Sequence, residues 1–290
     1  MYQAAAASVA LALTLGLNLT PALPQEQFVS QTTVQTLYQY MLAQESVSPV
    51  TGVYDPAALS GLDATSRGWG QGNRVNAKNQ PLGAVNAQQS FGQYNAWFLA
   101  KESPVVYLTI DEGYENGYTG KILDVLKEKQ CPAVFFVTMD YVKKNPDLIR
   151  RMIDEGHVVG NHTVNHPAKG MPSLSIDKQA EEIMALHRYV KEHFDYEMYL
   201  FRYPAGVYSP QSLALVQQLG YRSVFWSFAY RDWVTDDQPE PKAALQTVTK
   251  KLHPGAIYLL HAVSSTNTQI MGDFIDEARA QGYVFGKMTV

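Results

Sequence analysis

Pro104-Val105-Val106-Tyr107-Leu108-Thr109-Ile110-Asp111-Glu112-Gly113 is the stretch that decides the fold. An almost unbroken apolar run this short, rich in β-branched and aromatic residues, reads as a strand buried on both faces, as in a parallel sheet. Its polar end then places two adjacent carboxylates where a sheet strand stops. Downstream the same texture returns. Strands are predicted at Val105 to Ile110, Ala133 to Val137, His157 to Gly160, Tyr199 to Arg202, Ser223 to Trp226, Ala256 to Leu260 and Val284 to Phe285. Amphipathic stretches fall between them: Tyr118 to Lys129 carries Ile122, Val125 and Leu126 at helical spacing, Ser175 can cap a long helix reaching Phe194, and Pro210 to Leu219 stops at Gly220. Strands alternating with helices predict an α/β fold, a distorted and closed or incomplete (β/α) barrel of about seven strands, with chemistry at the strand ends.

The 290 residues, 46% hydrophobic and 17% charged, can bury a sizeable core and are too apolar for disorder. A net charge of -4 provides no basic excess for neutralising phosphates, which excludes a nucleic-acid binder. Residues 1–66 hold Glu26, Glu45, Asp55 and Asp63 and no basic residue, while from Arg67 onward the charges balance. The single cysteine, Cys131, allows no internal disulfide and is expected in the core.

Three regions emerge. Residues 1–24 contain an uncharged apolar run, Ala4 to Leu19, followed by Pro21, Ala22 and Pro24. It is too short to span a bilayer and is expected to be an export signal or N-terminal anchor, placing the protein outside the cytoplasm. Residues 25–100 are rich in Gln, Ser, Thr, Asn and Gly, with one short helix expected from Thr33 to Ala43; they are read as a polar linker and arm. Trp69, Phe91, Tyr94, Trp97 and Phe98 should fold that arm onto residues 101–290, the catalytic domain.

Five polar clusters follow strand ends: Thr109 to Gly113, His162-Thr163-Val164-Asn165-His166, Arg202-Tyr203-Pro204-Ala205-Gly206, Arg231-Asp232-Trp233, and His261. Each alone could be a capping or surface group; together they describe a site. On one helical turn an H-x-x-x-H pair sets two imidazoles about 5 to 6 Å apart, which suits a Zn-like ion. Asn161 and Pro167, flanking the pair, mark a loop or short turn instead of a surface helix. A third ligand could come from Asp111 or Glu112, the other carboxylate then serving as a general base. His157, His187, His193 and His253 read as structural or solvated, and Trp226 as core or as a sugar-stacking face.

In this order the five clusters resemble the polysaccharide deacetylases of carbohydrate esterase family four, whose pattern is T-F-D-D-G, H-[ST]-x-x-H, R-x-P-[YR]-G, D-x-x-D-W and L-x-L-x-H. The stretches from Tyr107 to Thr119 and from His253 to His261 are closest to the branch of delta-lactam-biosynthetic de-N-acetylases, which act on muramic acid of spore-cortex peptidoglycan. The similarity runs from about Gly68 to the C-terminus.

The resemblance implies that Asp111 is the general base, and that Glu112, His162 and His166 hold a divalent metal, Zn²⁺ before Co²⁺ or Mn²⁺. It further implies that His261 is the general acid, that Arg202 orients Asp111, that Asp232 keeps His261 charged, and that the backbone N–H of Ala205 faces the oxyanion. Trp233, Arg231 and Lys169 are candidates for substrate contact, the two cations for a lactyl carboxylate. Three positions depart from the pattern: Glu112 replaces Asp, Ala205 replaces a bulky residue, and Ala229 stands at the first Asp of the fourth motif. The implied partner is a peptidoglycan glycan strand from which an amidase has removed the stem peptide. The alternatives are a deacetylase of N-acetylglucosamine polymers and a glycan-binding protein without catalysis.

Overall fold

Strand β3 (Val105–Glu112) is buried along all eight residues and organises the sheet in the computed structural model, which describes residues 50–289. On one edge β3 pairs with β4 (Ala133–Val137), which pairs in turn with β5 (Val158–Asn161). The order continues through β6 (Leu200–Phe201), β8 (Arg222–Val224) and β2 (Ala96–Trp97). On its other edge β3 pairs with β10 (Val284–Phe285) through its first two residues and with β9 (Ile257–His261) from Tyr107 to Asp111. Every pairing in this sheet is parallel. Phe228, just beyond β8, also bridges Tyr258 of β9, so the sheet curls toward an incomplete barrel, as the alternating texture predicts.

The outer layer is helical: α1 (Pro56–Ser60), α2 (Leu82–Phe91), α3 (Thr119–Glu128), α4 (Met139–Lys144), α5 (Pro146–Asp154), α6 (Ile176–Phe194), α7 (Pro210–Gln218), α8 (Pro241–Lys250) and α9 (Ser265–Ala280). Side chains cap several N-termini where orphan N–H groups need acceptors. Ser175 accepts from the Lys178 amide, Ser264 from that of Asn267, and Ser209 forms a reciprocal box with Ser212. Each helix turns an apolar stripe inward; α6 buries Ile183, Leu186, Val190 and Phe194 at helical spacing.

The segment predicted as linker and arm carries more structure than its composition suggests. Its α2 and β2 were absent from the reading, and β2 belongs to the main sheet, which therefore begins before residue 101. Polar Asn and Gln side chains masked them: Gln88, on α2, accepts from the Phe98 amide and donates to the Ala96 carbonyl, replacing apolar periodicity with side-chain hydrogen bonds. Strand β1 (Arg67–Gly68) pairs antiparallel with β7 (Val207–Tyr208). Trp69, Phe98 and Phe225 then form an aromatic cluster, with Phe98 stacked on Phe225 at 4.1 Å. The apolar run of residues 1–24 and the helix expected at 33–43 lie outside the described residues.

Cys131 is buried and its thiol is pushed up to about 12 by desolvation, as a core residue requires. Among the described residues no helix is long and apolar enough to cross a membrane.

Candidate active site

Asp111 is the last residue but one of β3, His162 follows β5, Arg202 follows β6 and His261 ends β9, so one rim of the curled sheet gathers the polar clusters. This is the end of a parallel sheet at which catalytic groups collect. Asp232 reaches the same rim from the loop after β8.

Arg202 is fully buried. Its guanidinium donates to Asp111 Oδ1 at 2.8 Å and to the carbonyls of Val224 and Phe225 at 3.1 and 3.2 Å, and lies 4.2 Å over the Phe136 ring. Burial acts to raise the Asp111 pKa, but the charges of Arg202, His162 and His261 with the Arg202 hydrogen bond outweigh it and hold the carboxyl below its ordinary range. Asp111 is thus an oriented, ionised carboxylate.

The His162–His166 segment is a turn. Asn161 accepts from the Thr163 amide at 2.9 Å and donates to the Ile183 carbonyl at 2.8 Å, while Thr163 Oγ1 accepts from the His166 amide at 3.0 Å. Thr163 and His166 both adopt left-handed backbone, φ 74° and 48°, a strained arrangement that brings the imidazole centroids to 4.9 Å. His162 Nδ1 donates to the Arg202 carbonyl at 2.9 Å, which leaves the Nε2 lone pair 3.6 Å from Asp111 Oδ2. Burial pushes the His162 pKa down to about 4, so the ring is neutral at ordinary pH.

His261 Nδ1 donates to Asp232 Oδ1 at 2.7 Å. The other oxygen of this fully buried carboxylate accepts from the His261 amide at 2.8 Å and from Asn267 Nδ2 at 2.6 Å. Burial opposes charge on His261, yet the hydrogen bond and charge of Asp232, joined by Asp111, raise its pKa. The half-exposed Trp233 sets its ring edge against His261, 5.6 Å between centroids.

Glu112 takes a different direction. Successive residues of a strand point to opposite sides, and its buried carboxylate accepts from Thr119 Oγ1 at 3.3 Å. Desolvation, then the neighbouring charges of Glu115 and Asp111, push its pKa well above the carboxylate range. Glu115 caps the approach to α3 through the amides of Gly117 and Tyr118.

The polysaccharide deacetylase family model matches residues 99–224. The peptidoglycan-N-acetylmuramic acid deacetylase PdaA of Bacillus subtilis is 41% identical over 220 residues, 75% of this chain and 82% of its own length. The chain belongs to the polysaccharide deacetylase family. A solved structure of B. subtilis PdaA, described as a family 4 carbohydrate esterase, superposes with a TM-score of 0.72 at 38% identity, covering 77% of this chain and 95% of the other. A peptidoglycan-N-acetylglucosamine deacetylase of Bacillus cereus is 30% identical over 197 residues, 66% of this chain and 90% of its own length.

In this polysaccharide deacetylase Glu112, the carboxylate ligand that the resemblance implies, accepts from Thr119 Oγ1 at 3.3 Å. Among the described residues no three His, Cys, Asp or Glu side chains are gathered closely enough to hold a metal ion, and Glu112 is bonded to Thr119. The remaining donors nevertheless suit a divalent cation: a neutral imidazole with its tautomer fixed by a backbone carbonyl turns its lone pair toward an ionised carboxylate, with no proton to place between them. His162 and His166 are the groups that would hold it, and Asp111 beside them stays the base.

The other departures have structural counterparts. Ala205 is exposed and left-handed at φ 52°, ψ 16°, inside the turn of the third motif. Arg231 is paired with Asp237 at 2.5 Å, both more than half exposed, so this candidate cation already has an anion. Lys169 is exposed on the loop after His166. Trp226 is buried and belongs to the core. His157 and His253 are buried structural groups, with His253 hydrogen-bonded to Ser227 at 2.7 Å, and His193 stacks on Tyr189. Asn267, the second partner of Asp232, was missed by the sequence reading; its only sequence signal is a place three residues after the helix cap Ser264.

Proposed function

We propose that this chain hydrolyses the acetamido group of N-acetylmuramic acid residues in peptidoglycan, the first step towards muramic delta-lactam of the spore-cortex type. The observation that carries the reading is a division of partners on one rim: Arg202 holds Asp111 at 2.8 Å and lowers its pKa, while Asp232 holds His261 Nδ1 at 2.7 Å and raises its pKa. Hydrolysis of an amide requires such a division between base and acid.

Asp111, steadied by Arg202, takes the proton from the attacking water. The Ala205 backbone N–H donates to the developing oxyanion. His261, kept cationic by Asp232, gives its proton to the departing amine. A bound divalent ion, Zn²⁺ in preference to Co²⁺ or Mn²⁺, would polarise the acetyl carbonyl, with His162, His166 and a carboxylate as its ligands. No covalent intermediate is needed.

The muramic preference is supported by the similarity to PdaA and by the run from Tyr107 to Thr119. Once an amidase has removed the stem peptide, the lactyl carboxylate lies beside the new amine, so lactam closure is intramolecular and favoured by a large effective concentration. Lys169, exposed on the loop after His166, is the cation we assign to that carboxylate, since Arg231 is paired with Asp237. The proposed substrate and the apolar run at 4–19 support an extracytoplasmic protein, exported or anchored. Acetate release from defined glycan fragments, with and without chelator, tests the reading. Binding of glycan without acetate release at any metal supply would instead favour a glycan-binding protein.

A further inference from the structure

The arm segment Trp69 to Gln71 lies outside the stretch matched by the family model, yet it is bonded to the supports of the active site. Trp226 is the shared support. Its ring lies 5.8 Å from the Arg202 guanidinium that orients Asp111. Its far edge underlies Gly206, where a Cβ would come within 2.7 Å of the indole and the left-handed backbone, φ +65°, already favours glycine. Gly206 in turn adjoins Ala205, the oxyanion donor. One ring therefore supports both the base's partner and the oxyanion turn.

The arm holds that residue at its ring and at its backbone. Trp226 Nε1 donates to Gln71 Oε1 at 3.0 Å, and Trp69 Nε1 donates to the Trp226 carbonyl at 3.0 Å. Gln71 Nε2 donates to the Ala229 carbonyl at 3.0 Å, three residues before Asp232, and the Trp69 amide donates to the Gly206 carbonyl at 3.0 Å. The bonds to Gly206 and Ala229 join the arm to the third and fourth motifs.

We propose that Gln71 is a positioning residue for deacetylation: with Trp69 it sets Trp226 beneath the Ala205–Gly206 turn and beside Arg202, so that the arm completes the active site. Gln71 acts through Trp226 and touches no reacting atom. The inference rests on the deacetylase reading.

Gln71→Met keeps the length of the side chain and removes both hydrogen bonds, and Gln71→Glu restores the acceptor for the Trp226 indole. Both are made in the full chain and assayed by acetate release, with thermal unfolding and the ¹⁵N–¹H resonance of the Trp226 indole followed in parallel. In Gln71→Met, kcat should fall by roughly 10-fold or more, the scale of a misplacement below 1 Å, with KM within about twofold. Its indole resonance should move to the position of a weaker hydrogen bond. Gln71→Glu should recover most of kcat and the resonance. A Gln71→Met variant with unchanged kcat, or a Gln71→Glu variant equally impaired despite a restored resonance, overturns the inference while leaving an active wild type, and hence the deacetylase reading, intact. A wild type without acetate release removes that reading and this inference with it.

Discussion

Replacing Asp232 with Asn tests the electrostatics of the site at its most buried charge. Asp232 is fully buried, accepts three hydrogen bonds and sits 2.7 Å from His261 Nδ1. The substitution preserves shape and removes the anion. Breaking a buried ion pair by removing one partner destabilises a protein by about 3–5 kcal/mol when the other must stay charged, so His261 is driven to give up its proton instead. The sign follows from the causes: Asp232 raises the His261 pKa against the burial that lowers it, so without the anion burial prevails and the pKa falls. The limb of the kcat profile set by loss of the His261 proton should move to lower pH, and turnover at neutral pH should drop by roughly 10² or more. Acetate release across the pH range in which histidine titrates measures both. A profile that keeps its limb in Asp232→Asn would refute the role given to His261, whatever the rate.

The carboxylate roles separate in two further variants: Asp111→Asn should abolish turnover, and His162→Ala should lose both turnover and bound divalent ion, by elemental analysis of the purified protein. Metal lost in Asp111→Asn and kept in Glu112→Ala would contradict the base role and exchange the two carboxylates. Ala205→Gly should raise stability by about 1 kcal/mol, a few degrees in Tm, because the left-handed backbone strains any residue with a Cβ; a lower Tm would contradict that. Burial lowers His157, His162 and His253 each to about 4, so as pH falls below 6.5 the unfolded chain takes up protons that the folded chain refuses. Stability should therefore fall between pH 6.5 and 4, the three rings outweighing the opposite effect of Glu112, whose raised pKa lets the folded chain hold a proton that the unfolded chain lacks; denaturant titration measures it, and a rising profile there would contradict the burial of these rings.

The strands from β3 onward were legible because a parallel sheet buries both faces of each strand, and runs such as Ala133 to Val137 contain little else. Helix α6 was legible through its cap, Ser175, and α7 through Pro210 at its first position and the stop at Gly220. The short α4 and α5, divided at Asn145-Pro146, gave no sustained period. The arm escaped because its stability comes from side-chain amides, such as Gln88 and Gln71, which composition registers only as polar. Of the candidate site, Asp111, His162, His166, Arg202, Asp232 and His261 were legible as residues after strand ends. The direction of Glu112 was not, since adjacent carboxylates at the end of a strand look equivalent until the pleat assigns each a side. Asn267 was hidden for a related reason: its partner Asp232 is 35 residues away, across a helix and a strand.

The most direct test of the central claim is mass spectrometry of glycan strands, stripped of stem peptides and digested after incubation with the purified protein. The account predicts loss of one acetyl group from muramic residues, with N-acetylglucosamine residues intact. Acetyl loss confined to N-acetylglucosamine, or equal loss from both sugars, would contradict the muramic assignment, and no loss from either, with divalent metal supplied, would contradict the deacetylase chemistry itself.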